Sequence, residues 1–205
     1  MNKPELVLYF DIETASKYKT VEEFESNEKE MYKRFFNKYD SYDKASINPA
    51  YGLITCISLG YYVNNKLKIK SFVGEEEEIL KNSYKGFVQA HNKQYSLCGY
   101  NIKNFDLPWL NIKMLKYGLK IPGILSLFDK KPWELNIFDP YLELNTRSLS
   151  LYELTNDLGI TSPVLHGNEM NNFYWNNEID KIIYHCESDL KSIAELYKTI
   201  YNLTF

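Results

Sequence analysis

The 205-residue sequence predicts an α/β protein organised on a five-stranded sheet, and three observations carry that prediction. The run Leu6-Val7-Leu8-Tyr9-Phe10 has the unbroken apolar character of a strand buried on both faces, the kind that occupies the middle of a sheet. Two further strand-like runs, 53–63 and 67–73, are separated by Asn64-Asn65, a turn signal that folds one back on the other as an antiparallel pair. At the other end of the chain, Ile179, Ile182, Cys186, Leu190, Ile193 and Tyr197 recur at intervals of three and four, the stripe of a long amphipathic helix.

The remaining elements follow in order. Residues 20–39 are charged, with Val21, Phe24, Met31, Phe35 and Phe36 at helical spacing, and Thr20 with Glu23 forms a capping-box pattern. This predicts a helical insertion at about 20–45, packed on one face or lying as a flap beside the site. Asn48-Pro49 breaks structure before the second strand. A helix is expected over 75–90, its glutamate-rich first turn favoured by the helix dipole. Residues 95–100 form a short strand ending in Gly99-Tyr100-Asn101. A helix over 107–117 follows, with Pro108 in its first turn and Gly118 at its end. Residues 135–138 are a brief strand running into Asp139-Pro140. Leu149, Leu151, Leu154 and Leu158 mark a helix stopped by Gly159, after which an irregular stretch leads to the final helix. No internal repeat or linker interrupts the chain, so residues 1–205 are expected to form one domain.

Composition narrows the class. Hydrophobic residues make up 44% and charged residues 25%, ordinary for a globular protein able to bury its own core. No apolar run reaches the length of a membrane span, and the N-terminus lacks a basic-then-apolar leader, so a cytoplasmic location is expected and a membrane partner is not. Cys56, Cys98 and Cys186 lack metal-ligand spacing and sit in apolar contexts, as buried free thiols do. The net charge of −3 is not the global signature of a nucleic-acid binder, although a cluster of acids would itself lower it.

The chemistry-bearing residues are acids. Asp11 and Glu13 in Phe10-Asp11-Ile12-Glu13-Thr14 stand at i and i+2, so on an extended chain they project together from the end of the first strand. Paired carboxylates repel, and a divalent cation removes that penalty; taken alone, the pair also reads as a polar strand terminus. Asp106 follows a strand and loop at the start of a helix, above a strand end where ligands bind in open α/β sheets, although an isolated acid there is commonly an N-cap. Asp189 falls on the edge of the last helix's buried stripe with no lysine or arginine close by in the helix, which suits a metal partner.

These segments together, FDIET, then GYNxxxFDLPWL, then a helix with an aromatic-type residue four positions before an Asp, resemble the three motifs of the DEDD (DnaQ-like) 3′–5′ exonucleases. The likeness is nearest to predicted exonucleases related to the proofreading domain of B-family DNA polymerases. It runs from about Leu6 to Tyr197, and connecting segments such as Ile137-Phe138-Asp139 and His166-Gly167 agree with it. The resemblance implies an RNase H-like fold, with a mixed five-stranded sheet and helices on both faces. It also implies Asp11, Glu13, Asp106 and Asp189 as ligands of two divalent cations, and release of nucleoside 5′-monophosphates from the free 3′ end of single-stranded DNA. Carboxylate ligands suit Mg²⁺ or Mn²⁺. Alternatives are an exoribonuclease on short RNA and a catalytically silent nucleic-acid-binding module. With no polymerase on the chain, replication or repair proteins would be partners in trans.

Thr14, Asn101, Phe105 and Tyr184 are the candidate substrate-binding residues. Asn101 offers an amide for sugar or phosphate and Phe105 a ring for stacking or for the core. Lys103, Lys113 and Lys116 are candidates for a local basic rim, His91 for a helix cap and His166 for a loop contact with substrate. Asp139 reads as structural. Members of the resembling family carry either Tyr four residues before the last Asp or His five before it; here His185 is four before and Tyr184 five before. On a regular helix His185 lies about 40° from Asp189 and Tyr184 about 140°, which makes His185 the candidate catalytic base. A distorted first turn would exchange the two.

Overall fold

The N-terminal apolar run becomes the middle strand of a sheet. In the computed structural model, which describes residues 6–128, 131, 134–146, 148–160 and 169–203, the strands are β1 (Val7–Ser16), β2 (Gly52–Val63), β3 (Lys66–Val73), β4 (Ser96–Cys98) and β5 (Ile137–Phe138). Their order across the sheet is β3-β2-β1-β4-β5. β1–β2 and β2–β3 are antiparallel, while β1–β4 and β4–β5 are parallel, so the sheet is mixed with β1 at its centre.

Eight helices complete the described chain: α1 (Val21–Asn27), α2 (Lys29–Phe36), α3 (Glu76–Asn92), α4 (Asp106–Lys116), α5 (Pro140–Glu143), α6 (Leu151–Asp157), α7 (Met170–Trp175) and α8 (Ile179–Ile200). Strand alternation divides them between two faces. Leu8, Phe10 and Ile12 pack with Leu80 and Phe87 of α3 and Leu110 of α4. Val7 and Tyr9 point the opposite way, onto Leu154 of α6 and Leu190, Ile193 and Tyr197 of α8. The ring of Tyr9 meets those of Tyr62 and Tyr197 edge-on at 5.9 and 5.7 Å, a favoured aromatic geometry. No helix among the described residues is long and apolar enough to cross a membrane.

Several expectations need correction. β1 does not stop at its acids but continues to Ser16, because β2 goes on pairing with it: Asp11 lies opposite Ser58 and Glu13 opposite Cys56. What ends is the parallel neighbour. β4 pairs only with Val7 to Tyr9, so the other flank of β1 is open from Phe10 onward. The register shifts between Glu13 and Thr14, where Thr55 is the extra residue of a bulge. The 135–138 strand shrinks to two residues, and α5 and α7 were not foreseen.

In the 20–45 region, α1 and α2 are separated at Glu28, and a 3-10 turn spans Tyr42–Ala45. Thr20 accepts from the Glu23 N–H at 3.2 Å, but the Glu23 carboxylate takes the N–H of Lys19, so only half of the capping box forms. Phe24 and Phe35 anchor an aromatic cluster here with Tyr18, Tyr42 and Tyr51. The expected basic rim is absent at two of its three positions. Lys113 is buried and Lys116 half-exposed, and both pair with the buried Glu76, at 3.2 and 2.8 Å. Glu76 also accepts from the Ile54 N–H and the Tyr117 hydroxyl, each at 2.8 Å. Its charge is therefore used to tie α4 to α3 and to the start of β2. Lys103 is half-buried, its ammonium 3.4 Å from Glu143. His91 sits in the last turn of α3 with its ring against Gly123. His166 lies outside the described residues.

Candidate active site

Three elements far apart in sequence deliver acids to the open flank of β1. Asp11 and Glu13 share the β1 face that meets α8, while Ile12 between them is buried against α3 and α4. Asp106 is the first residue of α4 but does not cap it. The N-cap position is Phe105, with no side-chain capping bond, and the Asp106 carboxylate reaches across to accept the Ile12 N–H at 3.2 Å. The flank that β4 leaves unpaired is thus satisfied by a side chain. Asp106 is thereby fixed beside the residue that separates Asp11 from Glu13.

The loop that carries Asp106 is shaped by two further groups. Gly99 must be glycine, since a Cβ there would lie 2.3 Å from Ile102 Cγ2 and 2.8 Å from the Phe10 carbonyl oxygen. Asn101 then takes a left-handed conformation (φ 61°), a state that Asn tolerates better than most residues. Asp139, fully buried after β5, accepts the N–H groups of Asn101 at 2.8 Å and Lys103 at 3.0 Å. Burial pushes the Asp139 carboxyl up, opposed by those backbone donors. The sequence reading as a structural acid matches this geometry.

From α8, His185 and Asp189 lie one turn apart and face the strand. His185 is buried, and its Nδ1 is 2.6 Å from Glu13 Oε1 and 3.9 Å from Asp189 Oδ2. Its near partner is therefore the strand glutamate, not the i+4 aspartate that helix geometry offers. Tyr184 is 54% exposed, on the outer side of the helix. Two sets of ligand atoms lie within 4.8 Å of one another: Asp11, Glu13 and Cys186, and Glu13, His185 and Asp189. Glu13 belongs to both. Cys186, read from sequence only as a buried thiol, directs its Sγ to the Asp11 carbonyl oxygen at 3.5 Å. Its position beside the acids on the stripe of α8 was the one available signal.

Burial raises the carboxyls of Asp11 and Asp106 well above the carboxylate range. The charges of Glu13, Asp189 and Asp106 add to the effect on Asp11; Asp139 and Glu13 add to that on Asp106, against the pull of its backbone donors. Asp189 is pushed up to about 6 by burial and by Glu13, with His185 acting the other way. Among the described residues five buried polar side-chain atoms lack a hydrogen bond, and Asp11 Oδ2 is the one of them in the acid cluster. Asp11 Oδ2 is buried without a hydrogen bond, a costly state for a carboxylate oxygen unless a cation completes it. The carboxylate oxygens of these sets suit a hard divalent ion, while the Cys186 thiol, a soft donor, does not.

The candidate substrate residues are placed less uniformly. Thr14 donates its hydroxyl proton to the Ser46 carbonyl at 2.6 Å, joining β1 to the end of the Tyr42–Ala45 turn. Asn101 accepts from the Asn104 side chain at 2.9 Å. Phe105 is half-buried against Trp109, with ring centroids 5.8 Å apart. Asn171 of the unforeseen α7 accepts from both the N–H and the hydroxyl of Ser16, at 2.8 and 2.7 Å, and holds the end of β1. A search of curated proteins finds no match to the chain. A family model described as RNase_H superfamily matches residues 44–201, a span that contains Asp106, His185 and Asp189 and begins downstream of Asp11 and Glu13.

Proposed function

Because the chain belongs to the RNase_H superfamily, we propose that it is a metal-dependent 3′–5′ exonuclease of the DEDD type, removing nucleoside 5′-monophosphates from the 3′ end of single-stranded DNA. The observation that carries this reading is the meeting of Asp11, Glu13, Asp189 and His185 where β1 faces α8, with Asp106 anchored on the intervening Ile12 N–H but outside both ligand sets, and Asp11 Oδ2 buried and unpartnered. In this reading the four acids hold two divalent cations, Mg²⁺ or Mn²⁺. Such ions, when bound, neutralise phosphate charge and lower the pKa of water.

The protein's own groups have distinct tasks. In this reading Glu13, common to both ligand sets, accepts a hydrogen bond from Nδ1–H of His185, a tautomer that leaves the proton-accepting role to Nε2. Asp106 keeps its reach through Ile12, and Asp139 keeps the loop in place beneath it. In this reading Asn101 and Phe105, on that same loop, meet a terminal nucleotide by amide and ring, although within the fold Asn101 accepts from Asn104 and Phe105 packs on Trp109. In this reading Thr14, next to Glu13 on β1, and Tyr184, on the solvent side of α8, are contacts at the margin of the site.

The test is incubation with 5′-labelled single-stranded DNA and RNA of matched sequence, in Mg²⁺, Mn²⁺ or EDTA. A ladder shortening from the 3′ end of DNA, absent in EDTA, is expected. Shortening of RNA alone would make the protein an exoribonuclease, and no cleavage of either together with no Mn²⁺ binding would make it a silent binding module.

A further inference from the structure

A cavity of about 440 Å³ lies on the opposite face of the sheet from Asp11 and Glu13, between α3 and the outer strands β2 and β3. Its floor is apolar, with Leu8, Leu59 and Ala90. Gly86 allows α3 to come down onto that floor, since a Cβ there would lie 2.6 Å from Leu59 Cδ1. The walls are basic. Lys68 and Lys70 rise from β3, and Lys85 of α3 and Lys93, just past its C-terminal end, face them. Three rings, Tyr61, Phe72 and Tyr95, stand among these lysines, and Lys70 Nζ lies 5.0 Å from the Phe72 centroid.

The charge pattern is one-sided. No acidic residue lines the cavity, although the chain as a whole carries −3. Among the described residues, none of these four lysines joins an ion pair, whereas Lys81, one turn before Lys85, is paired with Glu77 at 2.6 Å. Lysines on an edge strand guard against strand-to-strand association, and that accounts for Lys68 and Lys70. It does not account for Lys85 and Lys93 on and just past the facing helix, nor for the rings. Four ammonium groups around one concavity raise its potential and favour an anion. A volume inside the range of about 300–1,000 Å³ usual for small-ligand sites sets the ligand's size, and aromatic faces favour a flat ring.

We propose that this groove binds a nucleoside phosphate, with the phosphate among the lysines and the base against Tyr61, Phe72 and Tyr95. The site is separated from the acids by the sheet itself, so it does not depend on the proposed nuclease reading. The nucleoside phosphate has two possible sources, a free nucleotide or a unit of a strand.

Calorimetric titration of the full chain in EDTA separates them, using dAMP, ribose 5-phosphate and a short oligothymidylate as probes. The chelator suppresses cation-dependent binding at the acids. Lys68→Glu with Lys85→Glu should weaken binding at least about tenfold, and Lys70→Gln with Lys93→Gln should act in the same direction. These lysines are exposed, and unchanged thermal melts confirm intact folds. Binding of dAMP supports a free nucleotide, whereas binding of the oligothymidylate without dAMP supports the strand as source. The proposal is overturned if neither binds, if ribose 5-phosphate binds as tightly as dAMP, or if both lysine double variants bind as the wild type does. Cleavage assays on Asp106→Ala report on the nuclease reading alone, so failure of either idea is distinguishable from failure of the other.

Discussion

Asp189 makes the energetics of the acid cluster measurable. Its carboxyl rises from 3.8 to about 6 in the fold, chiefly through burial. A group whose folded value exceeds its unfolded value holds its proton longer in the native state. As pH climbs from about 4 to about 6 the unfolded chain therefore releases the proton first, and metal-free stability falls. At 1.36 kcal/mol per pH unit the loss is about 3 kcal/mol, an upper bound because 28% of the side chain meets solvent. Asp11 and Asp106 are shifted in the same direction and add to it. In EDTA the protein should melt lower at pH 7.5 than at pH 5. Asp189→Asn should remove part of that slope and raise the melting temperature at pH 7.5, by up to about 6–12 °C for a chain of this size. Mn²⁺ should stabilise the wild type at pH 7.5 far more than the variant. Urea or thermal denaturation across pH 5 to 8, with and without Mn²⁺, measures each quantity. A metal-free wild type that grows more stable toward pH 7.5, with Asp189→Asn less stable there, would refute the reasoning.

The other predictions concern activity and the structural charges. Asp11→Ala and Asp106→Ala should each lower cleavage by orders of magnitude while leaving the fold intact, and wild-type turnover in either would remove that residue from the site. A circular single strand should survive digestion that consumes its linear form; rapid cutting of circles would make the enzyme an endonuclease. His185→Ala should lose most of the rate and Tyr184→Phe little, and His185→Tyr should shift or erase the acid limb of the pH–rate profile; the reverse ranking of the first two would transfer the role to Tyr184. Glu76→Gln should destabilise the protein by about 3–5 kcal/mol, because it strands the buried Lys113, and a urea midpoint shift near zero would contradict that.

The sheet was legible because its signals are local. The apolar run ending at Phe10 and the Asn64-Asn65 turn each define an element without reference to the rest of the chain. The turn's two residues, both at positive φ, are the chemistry a tight hairpin demands. Where a strand stops was not legible, because β1 ends where its partners end and not where its apolar run does. Helix α7 has six residues and no amphipathic stripe of useful length, so periodicity had nothing to detect. Helix geometry placed His185 near Asp189, but the 2.6 Å contact with Glu13 joins residues 172 positions apart, a relation no local pattern carries.

The lysines show the same division from the other side. Lys113 and Lys116 were read as a surface rim because lysines are seldom buried, yet Glu76 meets both, and Lys113 lies buried with it. That buried acid has two cations supplied by the chain, together with N–H and O–H donors. Asp11, equally withdrawn from solvent at Oδ2, has neither cation nor hydrogen-bond donor on that oxygen, and its acidic neighbours raise its carboxyl further. The fold can therefore neutralise a buried carboxylate with lysines and does so around Glu76. Leaving an acid without a cationic partner on the open flank of β1 is unfavourable for folding alone, and its charge is neutralised either by the proton that its raised carboxyl retains or by a cation from solution.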